Sequence, residues 1–247
     1  MKKYVYALIK ITDTLDHAQD FCDGLLFCNR VKYFIGCEKK EIGDAKEAIA
    51  YISQHTYKAG FIHNRTRYNF NHQFNIDWQD IQITYNPAFC MYAVIGDKNY
   101  LRKSETIKLF NTKLKKFGDF AVIVKDVPKF LTIIQSSLPN FQYSLIGYLD
   151  YSKPLTPPNP IINKDYYFNY QNEFRIYSQS ISLVNNETTE VFGELINKDA
   201  ETFPFSPING ITSVVRTSEL FDGVKVQLNR DYDSCDISKL DFSMSCR

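Results

Sequence analysis

The chain opens with an apolar segment, residues 4–11 (YVYALIKI), that is rich in β-branched and aromatic residues and carries one charged side chain. A strand with one solvated face alternates polar and apolar residues, whereas a strand buried on both faces is almost continuously apolar. The segment is therefore predicted to be a central strand in a sheet that is covered on both sides.

Helix and strand signals are distributed unevenly along the chain. Helical patterns fall before residue 140, whereas the segments after residue 160 are mostly strand-like. Between them, residues 152–160 hold four of the nine prolines and can join neither a helix nor a central strand. This order favours a mixed α+β fold with a largely antiparallel sheet over regular βαβ winding.

We expect one α+β domain over residues 1–247. Its parts are a helix-bearing portion (1–151), the proline-rich crossing (152–160) and a strand-rich portion (161–247). A length of 247 residues is close to the upper limit for a single hydrophobic core, so one core is compatible with the chain.

Two helices are predicted from their capping residues. Asp44 and Glu47 form a D-x-x-E capping box ahead of apolar residues, which predicts a helix over 45–54. Ser104 is the predicted cap of the other helix and Gly118 its end. Its apolar stripe consists of Ile107, Phe110, Leu114 and Phe117.

Charge and cysteine usage exclude several classes of protein. The net charge is +1, so there is no overall field that would attract a polyanion, and nucleic-acid binding would need a local patch. The six cysteines include no C-x-x-C pair and no His at zinc-finger spacing, so we expect reduced structural thiols and no metal.

No apolar run could span a membrane, and we expect the mature chain to begin near Met1 in the cytoplasm.

Residues 168–176 (FNYQNEFRI) are the most informative segment for function. In a strand, side chains alternate between the two faces, which places Gln171, Glu173 and Arg175 on one face and apolar side chains on the other. One interpretation is an amphipathic strand whose polar face is solvated and forms cross-strand ion pairs.

The other interpretation is that Gln171 and Glu173 form a catalytic Q-x-E pair that faces a cleft. Such a carboxylate could hold a ribose hydroxyl and stabilise an oxocarbenium-like transition state, while the amide positions the acceptor. This chemistry cleaves a glycosidic bond to a good leaving group. If the pair works in this way, the first and the late strands are expected to lie side by side.

Two blocks of the sequence resemble those of a known group of proteins. A strand, a short helix, G-x-L-x-x-N and a Y-F pair occur between Tyr6 and Phe34, and Y-Q-x-E-[FY]-R-I occurs at 170–176. Together they are similar to a broad set of uncharacterised bacterial and prophage proteins. That set commonly has an R-G-D-x-x-E-G element between the two blocks, which corresponds here to IGDAKEA at 42–48.

The layout more distantly resembles ADP-ribosyltransferase-fold toxins, including those of phage defence and toxin–antitoxin systems. The resemblance implies NAD as a substrate and a macromolecular acceptor, with an antitoxin or another defence-system protein as a partner. It implies catalytic roles for Glu173 and Gln171. The implied cofactor-binding residues are Lys10, Asn29, Tyr33 and Arg175.

A basic and aromatic run, residues 63–72 (HNRTRYNFNH), lies in a segment without clear periodicity that is predicted to be an excursion over the core. Such a run could stack bases and contact phosphates, which makes Arg65, Arg67 and Tyr68 candidate nucleic-acid-binding residues. A polar loop is the competing interpretation. The run also supports an alternative function, a non-catalytic phage or defence-related protein that binds a protein or nucleic acid.

Overall fold

A computed structural model describes residues 4–39, 41–63, 66–97, 106–178 and 200–228. Its strands are β1 (Tyr4–Thr12), β2 (Leu25–Arg30), β3 (Ile49–His63), β4 (Thr66–Gln79), β5 (Pro87–Gly96), β6 (Thr106–Ile107), β7 (Phe120–Val124), β8 (Phe141–Leu145), β9 (Gly147–Leu149), β10 (Asn163–Asp165), β11 (Glu173–Ser178), β12 (Ala200–Pro204), β13 (Thr212–Arg216) and β14 (Val224–Lys225). Its α-helices are α1 (Leu15–Cys22), α2 (Val31–Gly36), α3 (Ile81–Thr84), α4 (Val127–Ser137) and α5 (Glu219–Asp222). Short 3₁₀ helices cover Thr112–Phe117, Pro160–Ile162, Tyr166–Gln171 and Asn209–Ile211.

The main sheet has eight strands and is antiparallel at every junction between neighbours. Its continuous order is β12-β2-β5-β1-β7-β13, and β11 pairs with β5 and with β8. A parallel pairing occurs between β9 and β10, outside this sheet. The prediction of a mixed α+β fold with a largely antiparallel sheet is confirmed in these terms.

The central position of β1 is also confirmed. The strand lies between β5 and β7 and is buried along most of its length. One of its faces contributes Val5 and Leu8 to a core beneath α1 and α4, and the other contributes Tyr6 and Ile9 to a second core. Burial on both faces explains why this segment has so few polar residues.

Two strands, β1 and β2, pair with different parts of the same edge of β5 and leave a gap between them. Along one edge, Tyr92–Gly96 pairs with β1 and Pro87–Ala88 pairs with β2, while β11 occupies the opposite edge from Ala88 to Tyr92. Neither β1 nor β2 pairs with residues 89–91, because the two strands separate there. The sheet therefore has a split between β1 and β2.

The two helices predicted from their caps are wrong. Residues 45–48 form turns that lead into β3, because Glu47 points into the protein and pairs with buried cations instead of closing a capping box. Residues 106–107 pair with β14, and Asn111 caps only the 3₁₀ helix Thr112–Phe117. Ser104 lies outside the described residues.

The segment around the Q-x-E pair is only partly a strand. Residues 166–171 form a 3₁₀ helix that ends at Asn172, whose φ of 43° places it in the left-handed region. Asn and Asp tolerate this conformation better than most other residues. Strand β11 starts at Glu173, so the prediction that Gln171 and Glu173 alternate along one strand is wrong.

The predicted excursion is a long two-stranded hairpin formed by β3 and β4. Their register runs from Ile49 opposite Gln79 to His63 opposite Thr66, with an irregularity near Ile49. The base of the hairpin is fixed to the body, since Ile52 forms a β-bridge with Leu155 of the proline-rich crossing. No helix among the described residues is long and apolar enough to cross a membrane.

Candidate functional site

A cavity of about 590 Å³ lies at the split in the sheet. Residues of β1, β2, β5 and α2 form its walls, together with the segment that joins the 3₁₀ helix 166–171 to β11. Its volume lies within the range of small-molecule sites. Strand separation therefore creates room for a ligand inside an otherwise continuous sheet.

Five of the residues that the sequence singled out line this cavity. They come from segments that are distant in sequence: Lys10, Asn29, Tyr33, Gln171 and Glu173. Arg175 does not line it, and neither do Arg67 and Tyr68, which lie on β4. Arg65 is outside the described residues.

The expected neighbour relation between the first and late strands is wrong. β1 and β11 lie on opposite edges of β5, where Ile9 and Glu173 both pair with Tyr92. A single strand therefore separates them. The cavity still receives residues from both, because Lys10 and Glu173 reach it from either side of β5.

Glu173 belongs to a buried group of four charges, which we call the ionic quartet: Glu47, Lys164, Glu173 and Arg175. Lys164 Nζ lies 2.8 Å from Glu173 Oε2 and 3.1 Å from Glu47 Oε1. Arg175 donates from Nε to Glu173 Oε1 at 2.9 Å. No side chain of the quartet is more than 4% exposed, and two carboxylates balance two cations.

Arg175 holds the two carboxylates of the quartet in place. Its Nη1 and Nη2 atoms donate to the two oxygens of Glu47 at 3.1 and 2.8 Å. Nη1 also donates to the carbonyl oxygen of Ile161 at 2.7 Å. Bidentate pairing of this kind fixes the orientation of the guanidinium group. Because Arg175 also donates to Glu173 Oε1, it fixes the position of that carboxylate as well.

The quartet keeps Glu173 ionised. Burial alone would raise the pKa of the Glu173 carboxyl, but Arg175 and Lys164 lower it, and the net pKa lies well below its ordinary value. Burial would likewise lower the pKa of Lys164, yet Glu173 and Glu47 raise it. Glu173 is therefore an acceptor of hydrogen bonds at neutral pH and not a general acid.

Gln171 is fixed beside Glu173 although it lies outside the strand. Its Oε1 accepts a hydrogen bond from Lys164 Nζ at 3.0 Å, and its Nε2 donates to the carbonyl oxygen of Glu41 at 2.8 Å. Lys164 thus links the amide to the carboxylate. The sequence predicted that strand alternation places Gln171 and Glu173 side by side. In the structure, hydrogen bonds from Lys164 to both side chains hold them together.

Lys10 reaches the cavity from the opposite side. Its Nζ donates to the carbonyl oxygen of Cys90 at 3.1 Å and lies 4.2 Å from the centroid of the Phe89 ring. Burial lowers the pKa of this amine. Burial and the charge of Glu173 together raise the pKa of the nearby Cys90 thiol to about 12, so Cys90 is a protonated thiol.

Sequence reasoning missed Glu47 and Lys164 as parts of the site. Glu47 was interpreted as a helix cap, because it has D-x-x-E spacing to Asp44. The residue after it, Ala48, has a φ of 60°, a conformation that suits glycine and that does not continue a helix. No local signal in the sequence distinguishes a capping Glu47 from one that pairs with Lys164 and Arg175 more than 100 residues away.

Tyr148 completes the surroundings of Glu173. Its hydroxyl oxygen accepts a hydrogen bond from the backbone N–H of Glu173 at 2.9 Å.

In the described part of the chain, no three His, Cys, Asp or Glu side chains are grouped as metal ligands. Comparisons with protein-family models, with curated proteins and with solved structures found no match.

Proposed function

We propose that the chain is an NAD-consuming transferase that acts as a toxin or phage-defence effector in the cytoplasm. The observation that carries the proposal is the meeting of Lys10, Asn29, Tyr33, Gln171 and Glu173 around one cavity. The sequence singled out these residues for NAD binding and transfer. They share a cavity despite a separation of more than 130 residues between Tyr33 and Gln171.

Glu173 has the properties that the proposed transition state needs. Its carboxylate is ionised and accepts hydrogen bonds from Lys164 Nζ, from Arg175 Nε and from the Cys90 thiol. A carboxylate has about four acceptor sites, so one remains for a ribose hydroxyl. The Glu173 carboxylate lines the cavity, where it can stabilise the positive charge that develops on the ribose.

The reaction breaks the bond between nicotinamide and C1′ of the ribose. Nicotinamide leaves as a neutral molecule with the bonding electron pair, and the ribose becomes an oxocarbenium ion. A nucleophilic atom of the acceptor then bonds to C1′ and releases its proton to solvent. Gln171 positions the acceptor, Tyr33 packs on nicotinamide, and Lys10 and Asn29 contact the rest of NAD.

The acceptor in this proposal is a macromolecule. Tyr33 is 39% exposed, so the cavity opens where a large acceptor can approach. An antitoxin or another defence-system protein would control such an activity by covering this opening.

Release of nicotinamide from NAD tests the proposal. The full chain is incubated with NAD and with candidate protein and nucleic-acid acceptors, and free nicotinamide is quantified by chromatography. The wild-type chain is expected to release nicotinamide. Glu173→Gln is expected to lower the rate by about 100-fold or more, because the transition-state charge loses its partner.

Glu47→Gln is the matched control. Glu47 belongs to the same ionic quartet but does not line the cavity, so its replacement perturbs the ion pairs without removing the proposed catalytic group. We expect a comparable loss of stability in both variants and a much smaller loss of nicotinamide release in Glu47→Gln. Equal rates in Glu173→Gln and the wild-type chain would eliminate the proposal.

A further inference from the structure

The β3–β4 hairpin presents aromatic rings on one face. Residues that are opposite each other in the register share a face, and His55 pairs with Phe74, Tyr57 with His72, and Phe61 with Tyr68. The ring centroids of Phe61 and Tyr68 are 5.0 Å apart, and those of Phe61 and Phe70 are 5.6 Å apart, with nearly parallel planes. We call this row the aromatic face: His55, Tyr57, Phe61, Tyr68, Phe70 and Phe74.

The aromatic face is exposed. Tyr57 is 62% exposed and Phe70 is 52% exposed, and the hairpin touches the body mainly near its base. There, Gln79 Nε2 donates to the carbonyl oxygens of Ala45 and Glu47, and Asn75 Nδ2 donates to that of Ser152. Most of the hairpin therefore extends into solvent.

Apart from Asp77 near its base, the hairpin carries charge of one sign. Residues 48–76 contain no Asp or Glu, the longest such run in the chain, whereas they hold three Lys or Arg and three of the four His. Lys58 and Arg67 lie on the face opposite the rings, among the amides of Gln54 and Asn69. These residues of a nearly neutral chain thus carry only positive formal charge and hold most of its imidazoles.

We infer that the hairpin binds single-stranded nucleic acid, with the bases stacked on the aromatic face and the phosphates paired with Lys58 and Arg67. This inference is independent of the proposed chemistry in the cavity. Bases of single strands have free π-faces, and stacking on aromatic side chains does not depend on sequence. The absence of carboxylates from residues 48–76 removes the repulsion that phosphates would otherwise meet along most of the hairpin.

The charge around the row favours nucleic acid as the partner. Residues 48–76 hold three Lys or Arg and no Asp or Glu, which suits a polyanion, and the rings offer flat faces on which bases can stack. Three of the rings also carry a polar group: His55, Tyr57 and Tyr68. A duplex hides its bases inside the stack, so it would lose the stacking contribution.

Fluorescence anisotropy of the full chain with a labelled oligothymidylate of about 16 nucleotides tests the inference. A duplex of equal length is the comparison. Tight binding of the single strand and much weaker binding of the duplex are expected. Equal binding of both, or no binding of the single strand, would overturn the inference.

The decisive variant is Phe61→Leu combined with Tyr68→Leu. Leucine preserves an apolar cross-strand pair and so keeps the hairpin formed, but it removes two flat rings. We expect affinity for the single strand to fall by about tenfold or more. Phe110→Ala is the matched control, because this ring is 79% exposed but lies away from the hairpin, and its affinity should equal that of the wild-type chain.

Two further outcomes decide against the inference. One is unchanged affinity in the double leucine variant. The other is a dimer of the wild-type chain in sedimentation that the double leucine variant dissociates, since a second copy would then cover the rings.

Salt dependence tests the role of the two cations separately. Between about 50 and 200 mM salt, log affinity for a single strand falls with a slope of about 0.7 for each phosphate that a cation neutralises. Lys58→Gln combined with Arg67→Gln should reduce that slope by this amount for each phosphate that is no longer neutralised. An unchanged slope would show that these side chains do not bind phosphates.

Discussion

Charged side chains are usually exposed and aromatic side chains are usually buried, but the ionic quartet and the hairpin reverse these locations. In the quartet, four charged side chains are almost completely buried, whereas in the hairpin a row of rings lies in solvent. Buried charges and exposed aromatic rows are both unusual, and each has a cost in stability or solubility. Such costs are typical of regions that are kept for function.

The two regions also differ in what they require from the rest of the protein. The quartet joins β11 to the segment before β3 and the strand β10, so its geometry depends on the whole fold. The hairpin is held by its own register and by a few contacts at its base. Substitutions in the quartet should therefore change stability strongly, whereas those in the hairpin should change binding alone.

The largest effect is expected for Arg175→Met. This change leaves the carboxylates of Glu47 and Glu173 buried with only Lys164 between them, and it should lower the free energy of unfolding by about 3–5 kcal/mol. Urea unfolding measures the loss. Lys153→Met, which breaks the exposed pair with Asp150, should cost less than about 1 kcal/mol.

A smaller effect is expected for Asp44→Asn, and it depends on pH. Burial and, to a smaller extent, the charge of Glu47 raise the pKa of Asp44 to about 6, and Asp44 Oδ2 has no hydrogen-bond partner in the described protein. Because the folded state binds this proton more tightly, the stabilisation is complete below pH 3.8 and is lost as the pH rises through about 6. Above pH 6, Asp44→Asn should be more stable than the wild-type chain by up to about 3 kcal/mol.

Urea unfolding of both proteins across this pH range checks the sign. The advantage of Asp44→Asn should grow as the pH rises from 4 to 7. A constant difference between the two proteins would contradict a raised pKa at Asp44.

Ala48→Gly tests the residue that joins the two regions. Ala48 follows Glu47 of the quartet, precedes β3 of the hairpin and has a φ of 60°. Glycine removes the steric cost of this conformation, so thermal unfolding should show a gain of about 1 kcal/mol. Ala50→Gly, within β3, should instead destabilise the protein by about 0.5–1 kcal/mol. A loss of stability in both would show that Ala48 is not strained.

The smallest effect is expected for Tyr57→Ser in the hairpin. This ring is mostly exposed, so its removal should change the free energy of unfolding by less than about 0.5 kcal/mol. Phe130→Ala, an aromatic truncation in the core beneath β1, should cost about 3–5 kcal/mol. Comparable losses in the two variants would mean that the aromatic face is part of a folded core.

The elements predicted correctly are those whose signals are local. β1 is recognisable from its continuous apolar sequence. The 45–54 helix was wrong because a D-x-x-E spacing cannot show whether Glu47 caps a helix or meets cations more than 100 residues away. The 104–117 helix was wrong because β14 supplies a pairing partner for residues 106–107.

Five of the residues that line the cavity were singled out from the sequence, but the way in which the fold brings them together was not predicted. Glu173 and Gln171 were identified from an assumed strand, yet Lys164 and the turn at Asn172 bring them together. The alternation of rings in the hairpin was present in the sequence at residues 55, 57, 68, 70 and 74. It was missed because Asn, His and Arg lie among the aromatic residues and interrupt any clear periodicity.

Hydrogen–deuterium exchange of the full chain with each ligand in turn tests the separation of the two regions most directly. NAD should slow exchange at β2, α2 and the residues around Glu173, and leave the hairpin unchanged. The single-stranded oligonucleotide should slow exchange along β3 and β4 and leave the cavity unchanged. Protection of the same residues by both ligands, or of neither region by its own ligand, would contradict the account.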